Sequence, residues 1–414
     1  MSPATEPRPL EAVRLLVVDG PRAAIIIRRA LDLPSLLHTG DLVVVNDAAT
    51  LPASIVAHTT RGARVEIRLV ASRDGARLWT AALLGDGDWR TGTEDRPAPP
   101  SVDFGDRFRA HGRLVIDVVG RHAVSRRLLD VSLGLEGREH ASDAEVWAAI
   151  YAAGRPVQYA HVSLPLALWD VQNVYAARPW AVEMPSAGRA ITTETLLELR
   201  KRGIGVARVT EAAGLSAVGD AAIDASFPVP ERFEVLDETV RAIAEARRRG
   251  GRVIAIGTSV VRALESAARD GTLRPTEGVT DMRLGASSKR RVVDAVLSGV
   301  HESDTTHYGL LQAFVSEELL ARSLRAAVDA GFVGHEFGDT VLVCGDPVED
   351  ARVTPGEKVE KLGPHVLVGP ETRRSARPAT QPVAFRHRAW GSDASGWASS
   401  ARVPQRRDEV RPRS

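Results

Sequence analysis

The sequence contains a single cysteine, Cys344, in a chain of 414 residues. One thiol excludes a disulfide framework and any zinc site built from several cysteines. No apolar run approaches the roughly 18 residues that span a membrane. The N-terminal segment MSPATEPRPLEAV has neither the basic nor the apolar region of a secretory signal. We therefore expect a cytoplasmic protein without a membrane partner.

The chain also lacks an excess of charge of either sign. Its formal net charge is +1, and only 5% of its residues are aromatic. Without a net field, attraction to nucleic acid or to a membrane requires a local patch. Hydrophobic residues make up 44% of the sequence and charged residues 26%, which are ordinary values for globular proteins. A chain of this length and composition is expected to form two or three domains with a sizeable core.

Hydrophobic patterning alternates between strands and helices through most of the chain. LVVVN, residues 42–46, is apolar up to its end, as in a strand buried on both faces. The preceding stretch, RAAIIIRRALDLPSLLHTG, predicts a short helix or turn. ITTETLLELRKRG predicts a helix that Thr192 caps and Gly203 ends, and DETVRAIAEARRRGG, RVIAIG and TSVVRALESAARDG predict a helix, a strand and a helix. This order is typical of an α/β fold.

Residues 57–150 have a different pattern. Short strands follow one another with Gly- and Pro-containing connections, and SRDG predicts a hairpin turn between ARVEIRLV and ARLWTAALL. Such a succession indicates a small barrel or sandwich. We therefore predict a mixed-sheet α/β main domain, residues 1–56 and 151–369, interrupted by an inserted small β-barrel-like domain, residues 57–150.

The last part of the chain, residues 370–414, is rich in Arg, Ser, Ala and Pro and has no periodicity. This composition predicts a disordered tail. Its arginines suit contact with RNA phosphates, although a solvated tail is the interpretation that we favour.

Residues 154–189 concentrate aromatic and polar side chains in a segment without a helical or strand period. Long irregular segments inside a compact domain are usually functional or disordered, and this one is too aromatic for disorder. Aromatic faces beside amide and carboxylate groups suit a stacked heterocycle of the purine type. For Trp169 and Trp180 we favour the alternative, which is packing in the core. The candidate site residues of the segment are Arg155, Gln158, Tyr159, Glu183 and Ser186.

AIGTSVVRALES, residues 255–266, predicts a buried strand that leads through Gly257, Thr258 and Ser259 into a helix. Free backbone N–H groups and the dipole at such a helix start favour an anion or a hydroxyl-rich ligand. Arg262 and Glu265 are three residues apart and therefore share a helix face. The alternative, to which we give equal weight, is a capped core helix with a surface ion pair.

Two further sites carry candidate polar groups. Asn46 and Asp47 directly follow the buried strand, where open α/β sheets place ligands, although the two residues also suit a simple turn. His301, in GVHESDTTHYG, is a candidate acid, base or hydrogen-bond donor, with a surface histidine as the alternative. The sequence contains no HExxH, P-loop, GxGxxG or GxSxG motif. We expect no metal site.

Five segments occur in the order of a known enzyme family: DLVVVNDAATLPA, GRPVQYA, EMPSAGRAIT, AIGTSVVRALES and HEFGDTVLV. From about residue 14 to residue 345 the chain resembles the S-adenosylmethionine:tRNA ribosyltransferase-isomerases of queuosine biosynthesis. That family transfers and isomerises the ribosyl part of S-adenosylmethionine onto 7-aminomethyl-7-deazaguanine in tRNA, which gives epoxyqueuosine and releases adenine and methionine. The resemblance implies that S-adenosylmethionine, as a substrate, and tRNA are the partners, with no further cofactor. We expect a monomer.

The resemblance also implies which residues form the site. The sulfonium of S-adenosylmethionine acidifies the adjacent carbon, so a base is needed, and we expect Asp47, Glu183 and His301 to be catalytic. Substrate-binding roles are expected for the remaining candidates, which are Asn46, Arg155, Gln158, Tyr159, Ser186, Gly188, Gly257, Thr258, Ser259, Arg262 and Glu265.

The chain departs from the family pattern in four segments. Ala190 replaces a histidine of PTAGLHFT, and TEAAGLSAV stands where the family has HVGxGTF. VPE retains Glu231 but lacks the histidine of MHxE, and SGVHESDT retains His301 but lacks the asparagine of TNFHLPxS. Two alternatives therefore stand beside the family reaction. One is an enzyme that uses S-adenosylmethionine or a related nucleoside with another acceptor, and the other is a non-catalytic protein that binds tRNA or a nucleoside.

Overall fold

The structure, a computed structural model, describes residues 1–348, 352–356 and 360–362. Its strands are β1 Arg14–Asp19, β2 Ala24–Arg29, β3 Leu42–Asn46, β4 Ala48–Thr50, β5 Ser54–Thr59, β6 Arg64–Asp74, β7 Leu78–Leu84, β8 Arg107–Ala110, β9 Leu114–Arg121, β10 Leu128–Leu135, β11 Gly154–Arg155, β12 Arg178–Ala181, β13 Gly205–Glu211, β14 Glu231–Val235, β15 Val253–Ile256, β16 Thr272–Leu273, β17 Thr276–Thr280, β18 Ala295–Gly299, β19 Thr340–Cys344, β20 Arg352–Val353 and β21 Glu360–Leu362.

The α-helices are α1 Leu33–Leu36, α2 Asp143–Ala153, α3 Thr193–Lys201, α4 Ala221–Asp224, α5 Asp237–Arg248, α6 Thr258–Ala267, α7 Thr306–Leu311 and α8 Glu317–Asp329. Short 3-10 helices span Leu10–Ala12, Ala30–Asp32, Thr93–Asp95, His111–Arg113, Leu168–Val171 and Ser186–Ala190. The predicted tail, residues 370–414, lies outside the described residues. Within the part that is described, no helix combines the length and the apolar character needed to cross a membrane.

The main sheet has the strand order β2-β1-β19-β18-β15-β3-β13-β14-β17-β21. At its centre β18, β15, β3 and β13 run parallel to one another. The flanking strands β19 and β14 are antiparallel to their central neighbours. The carboxyl ends of the four parallel strands therefore lie together, and we refer to the place where they end as the carboxyl edge.

Both faces of the central strands are covered by helices and loops. In β3, Leu42 and Val44 pack into a core shared with α5, α6 and α8, whereas Val43 and Val45 pack with α3 on the opposite face. Each fully buried Val or Leu side chain contributes about 1.5–3 kcal/mol. The continuous apolar run LVVVN is thus the pattern that a strand in the centre of such a sheet requires.

Several predicted elements are confirmed in detail. The N–H of Thr195 donates to Thr192 Oγ1 at 3.2 Å, so Thr192 caps α3 as predicted, and Gly203 follows its end with φ +72°. The predicted helix, strand and helix of residues 237–267 are α5, β15 and α6. In RAAIIIRRALDLPSLLHTG the short helix is α1, but strand β2, which was not predicted, precedes it. This strand lies at the sheet edge with largely exposed side chains, so no alternation of burial marks it.

Strands β5 to β10 form a closed antiparallel barrel in the order β5-β6-β7-β10-β9-β8, because β8 pairs back onto β5. Trp79 and Phe108 are buried in its core. The predicted fold class, a mixed-sheet α/β domain with an inserted small β-barrel, is confirmed. The barrel strands run from Ser54 to Leu135, while the domain limits of 57 and 150 stay a prediction.

Candidate functional site

Asn46 connects three elements at the carboxyl edge. Its Nδ2 donates to the carbonyl oxygen of Glu211 at 2.9 Å and to Ser259 Oγ at 3.2 Å. Its Oδ1 accepts from the N–H groups of Ala48 and Glu211, each at 3.0 Å. The buried amide therefore holds the end of β3 against the end of β13 and the first turn of α6.

Asp47 lies next to Asn46 and is also buried. Its Oδ1 accepts a hydrogen bond from Thr210 Oγ1 at 2.5 Å, and its Oδ2 lies 3.6 Å from Arg208 Nη1. The carboxylate is thus engaged by residues of β13. These contacts are more specific than those of a simple turn.

The first turn of α6 is open to a ligand. Gly257 has φ +96° and ψ 152°, a combination that costs a residue with a side chain about 1–3 kcal/mol. No side chain caps the helix, and the Thr258 hydroxyl has no hydrogen-bond partner among the described residues. Free N–H groups, the helix dipole and a free hydroxyl together favour an anionic or hydroxyl-bearing ligand.

A cleft of about 180 Å³ comes close to this helix start through one of its lining residues, Ala187. Its lining includes Ser186, Ala187, His335 and Glu336, and a Cβ atom on Gly257 would lie 3.8 Å from Ala187 Cβ. Pockets that hold a whole small molecule measure about 300–1,000 Å³. The cleft is therefore large enough for only one part of such a ligand.

Gly188 shapes the loop that lines this cleft. The residue is buried, and a Cβ atom there would overlap the Tyr175 hydroxyl and the Asn173 amide. Asn173 Nδ2 donates to the carbonyl oxygen of Pro185 at 3.0 Å. Glycine is thus required for the close packing that positions Ser186.

Arg262 forms a buried cluster with two carboxyl groups. Its Nη1 pairs with Glu231 Oε2 and lies 3.5 Å from Glu211 Oε1, and Glu231 Oε1 accepts from the N–H of Gly214 at 2.7 Å. Both carboxyl oxygens of Glu211 lack a hydrogen-bond partner among the described residues. Burial and the neighbouring Glu231 raise the pKa of Glu211 well above its ordinary value. The cluster therefore combines one ion pair with a carboxyl group that favours its neutral form.

Glu265 does not pair with Arg262. It accepts hydrogen bonds from the N–H groups of Arg291, Val292 and Val293 at 2.7, 3.0 and 3.0 Å. Burial raises its pKa, and these three donors partly offset the shift. The alternative of a surface ion pair between Arg262 and Glu265 is wrong because α6 is covered on the faces that carry both residues. Glu265 fixes the segment that leads into β18.

His301 follows the end of β18 at the same edge. Its Nε2 lies 3.0 Å from Ser298 Oγ, and its ring stacks on that of His307 with 4.5 Å between centroids. Burial, with smaller contributions from His307 and His335, lowers the pKa of His301 well below its ordinary value of 6.5. A neutral imidazole at this position is suited to accept a proton.

Glu183 and Tyr159 connect the irregular segment to the chain that follows β13. The Tyr159 hydroxyl donates to Glu183 Oε1, and Ser216 Oγ donates to Glu183 Oε2 at 2.6 Å. Burial raises the pKa of Glu183 and raises that of Tyr159 well above its ordinary value. The Tyr159 ring is flanked by the Arg68 guanidinium and by the stacked ring of His161.

Gln158 and Arg155 lie in different surroundings. The Gln158 amide donates to the carbonyl oxygens of Val162 and Leu164 and accepts from the N–H of Leu166, so it stabilises its own loop. Arg155 lies in β11, which pairs with the barrel strand β5, and its side chain is exposed. The structure does not bring Arg155 to the carboxyl edge.

The tryptophans divide between two environments. Trp169 is 79% exposed, so its prediction as a core residue is wrong. The 3-10 helix of ALWDV buries Val171 and turns Trp169 outward, which an apolar composition alone does not indicate. Trp180 is half-buried and packs below the Arg232 guanidinium, which lies 3.9 Å from its ring centroid.

Sequence reasoning missed two polar clusters. Inside the barrel, Glu66 pairs with Arg68 at 2.6 Å and also with Arg96, and all three side chains are buried. The second cluster contains His161, His335 and Glu336. Members of each cluster are separated in sequence, and their pairing depends on strand register and loop path. Glu211 was missed for the same reason, although TEAAG departs from the family pattern.

A polar carboxyl edge beside an uncapped helix start defines an α/β protein that binds its ligand where the parallel strands end. A model of the family described as queuosine biosynthesis protein matches residues 2–343. The chain belongs to this family.

Two relatives that share the name of one enzyme support the same assignment. The chain is 34% identical over 350 residues to the S-adenosylmethionine:tRNA ribosyltransferase-isomerase of Acidithiobacillus ferrooxidans, with 80% of this chain and 91% of the relative covered. The enzyme of the same name from Sorangium cellulosum is 33% identical over 365 residues, with 82% and 94% covered. A solved structure of S-adenosylmethionine tRNA ribosyltransferase from Thermotoga maritima covers 82% of this chain and 95% of its own, with 24% identity and a TM-score of 0.43.

Proposed function

We propose that this protein transfers and isomerises the ribosyl part of S-adenosylmethionine onto 7-aminomethyl-7-deazaguanine in tRNA. The observation that carries the proposal is the open start of α6 at Gly257, where a free hydroxyl and uncapped N–H groups lie beside a cleft. Family membership supports the same reaction. The names of the relatives do not favour a different acceptor or a non-catalytic role.

The substrate offers groups that match this edge. S-adenosylmethionine carries a carboxylate and ribose hydroxyls, and a helix N-terminus favours the first while free side-chain hydroxyls bind the second. Thr258 and Ser186 are the predicted substrate-binding residues whose hydroxyls are available. Asn46, Gly257 and Ser259 shape the helix start, and Arg262 and Glu265 fix α6 between its neighbours.

The proposed base is His301. The reaction requires removal of a proton from the carbon next to the sulfonium, and a histidine whose pKa is lowered by burial is unprotonated near neutral pH. Asp47 and Glu183 are already engaged by Thr210 and by Tyr159 and Ser216. We therefore assign these two carboxyl groups positioning roles. The proposed chemistry uses no cofactor beyond S-adenosylmethionine.

Adenine release tests the reaction directly. Purified protein is incubated with S-adenosylmethionine, with and without tRNA that carries 7-aminomethyl-7-deazaguanine at the wobble position. The expected result is stoichiometric adenine release only with this tRNA, together with epoxyqueuosine in the digested RNA. Bound S-adenosylmethionine without adenine release would favour another acceptor or a binding role. A tRNA substrate is consistent with the expected cytoplasmic location, and the monomeric state stays a prediction.

Thr258→Val tests the helix start. Loss of the hydroxyl is expected to weaken S-adenosylmethionine binding by about 2- to 12-fold, since one hydrogen bond to an uncharged group contributes roughly 0.5–1.5 kcal/mol. Thr272→Val is the matched control because Thr272 lies beyond the other end of α6. Titration calorimetry measures both affinities. Equal affinity of wild type and Thr258→Val would exclude this hydroxyl from the ligand site.

A further inference from the structure

Two histidines and a glutamate form a cluster, and two of the three residues, His335 and Glu336, line the cleft. The ligand atoms of His161, His335 and Glu336 all lie within 4.8 Å of one another. His161 Nε2 is 3.2 Å from Glu336 Oε2, and the ring centroids of the two histidines are 4.4 Å apart. His161 belongs to the irregular segment 154–189, whereas the other two residues directly precede β19. Residues that are distant in sequence thus form a compact set of metal-binding atoms.

One distance in the cluster is close to that expected in a tetrahedral ion site. Zinc binds histidine nitrogen at about 2.0–2.1 Å and carboxylate oxygen at about 2.0–2.2 Å, so neighbouring ligand atoms in a tetrahedron are about 3.3–3.5 Å apart. The separation of His161 Nε2 and Glu336 Oε2 already corresponds to one such edge. Two histidines and one carboxylate are also the three protein ligands of many catalytic zinc sites.

The surroundings of the cluster favour a functional site. His335 has φ +66°, in the left-handed region that few non-glycine residues adopt, and residues held in this region are concentrated at ligand sites. The His161 ring is supported by the stacked ring of Tyr159. Arg189 lines the same cleft, but its guanidinium donates to the carbonyl oxygens of Arg8 and Asp170.

We propose that His161, His335 and Glu336 bind one divalent transition-metal ion of the zinc type. Three protein ligands leave a fourth tetrahedral position, which takes water or another oxygen donor. His335 and Glu336 both line the cleft, so this position opens toward it. The site goes beyond the proposed ribosyl transfer, and it revises the expectation of no metal that was based on local motif spacing.

The test uses the untagged full-length protein. It is stripped with a chelator, equilibrated with Zn²⁺, dialysed and analysed for zinc by mass spectrometry. The expected result is one zinc ion per chain. His161→Ala, His335→Ala and Glu336→Gln are each expected to weaken zinc binding by more than the roughly 10–100-fold that loss of an outer-shell partner costs. His122→Ala is the matched control, since His122 forms a partly buried pair with Asp130 on the barrel and is not part of the cluster.

Binding of Co²⁺ to the wild-type protein gives a second test, which does not depend on whether the variants fold. Co²⁺ bound to the wild-type protein is expected to give the strong visible bands of a tetrahedral site with nitrogen and oxygen ligands. No zinc retained by the wild type would overturn the proposal. Full zinc binding by all three cluster variants, or a thiolate charge-transfer band that implicates Cys344, would also overturn it. Because metal content is measured without S-adenosylmethionine or tRNA, the outcome does not depend on the proposed reaction.

Discussion

At the scale of single residues, two buried glutamates beside Arg262 differ in the hydrogen bonds that their carboxyl groups accept. Glu231 is held by the Arg262 guanidinium and by the N–H of Gly214. Glu211 is buried without a hydrogen bond to its carboxyl group among the residues described. A group in this position adopts its neutral form more readily than it would in water. The difference has a measurable consequence for stability.

Glu211→Gln is expected to remove part of the pH dependence of unfolding. The folded-state pKa of Glu211 lies well above its ordinary value of 4.5. A group with a raised folded pKa contributes stability below its unfolded pKa, and that contribution is lost as the pH rises through the folded value. The wild type should therefore lose stability relative to the variant as the pH rises above 4.5. Thermal unfolding of both proteins in a pH series that begins below 4.5 measures this difference in stability.

Glu139→Gln provides the comparison for this experiment, because Glu139 is exposed. This variant removes one surface carboxyl group and leaves Glu211 in place. A stability difference between wild type and Glu211→Gln that does not change with pH would contradict a raised pKa at Glu211.

His301 makes a second prediction at this scale. If His301 is the base, its lowered pKa keeps it unprotonated as the pH falls through 6.5. The acidic limb of the profile of kcat/KM against pH should therefore have its midpoint below 6.5. Adenine release measured over a pH series determines this midpoint. A midpoint at or above the ordinary histidine value would assign the base to another group.

At the scale of elements, the entry into α6 depends on one backbone conformation. Gly257→Ala is expected to cost about 1–3 kcal/mol, since φ +96° with ψ 152° is accessible almost only to glycine. The added Cβ would meet Ser259 Oγ at 3.4 Å. S-adenosylmethionine affinity should also fall, because relaxation of the strain moves the first turn of the helix. Urea unfolding and titration calorimetry measure the two effects.

Gly250→Ala is the matched control for Gly257→Ala. Gly250 also has positive φ, +74°, but it follows α5 before the amino end of β15, opposite the carboxyl edge. The control should lose stability and keep its affinity. Equal loss of affinity in both variants would show that Gly257 affects binding only through overall stability.

Elements with local sequence patterns were predictable, and their contacts were not. The apolar run of β3, the cap of α3 and the strand before α6 follow from burial and capping within a few residues. Strand β2 has mostly exposed side chains, so its pairing with β1 leaves no apolar period. The outward turn of Trp169 likewise depends on packing of its neighbours.

The candidate site also combines residues with a local sequence signal and contacts that have none. Asn46, Asp47 and Gly257 lie at the ends of strands that the sequence indicates, so their place at the carboxyl edge was predictable. His301 was a candidate for its acid–base chemistry and by resemblance, not for its place in the fold. The partners of these residues were not, since the hydrogen bond from Asn46 to Glu211 spans 165 positions. His335 and His161 are separated by even more of the chain and share no motif. Their proximity is a property of the folded molecule alone.

At the scale of the whole molecule, the barrel and the main sheet share a segment. After β13 the chain leaves the main sheet, and Leu215, Val218, Ile223 and Phe227 pack into the barrel core before β14 returns to the sheet. The carboxyl edge is thus connected to the barrel by covalent structure and by buried apolar surface. We expect the two parts to unfold together.

Phe108→Ala and Phe233→Ala test this coupling. Phe108 is buried in the barrel and Phe233 in the main sheet. Each truncation is expected to cost about 3–5 kcal/mol, and in a cooperative protein each lowers the Tm of one shared transition. Differential scanning calorimetry distinguishes the outcomes. A separate early transition in Phe108→Ala alone would show that the barrel unfolds independently.

Strand β1 is synthesised long before its partner strand β19, which has a consequence for the nascent chain. Arg14 and its partner Asp339 are 325 positions apart, and ribosomes add about 5–20 residues per second, so β1 waits roughly 16–65 s for this neighbour. During that interval only the hairpin with β2 covers its edge. The exposed isoleucines of β2 then lie on an incomplete sheet. Nascent chains of this protein are therefore expected to recruit chaperones until almost the entire main domain has been translated.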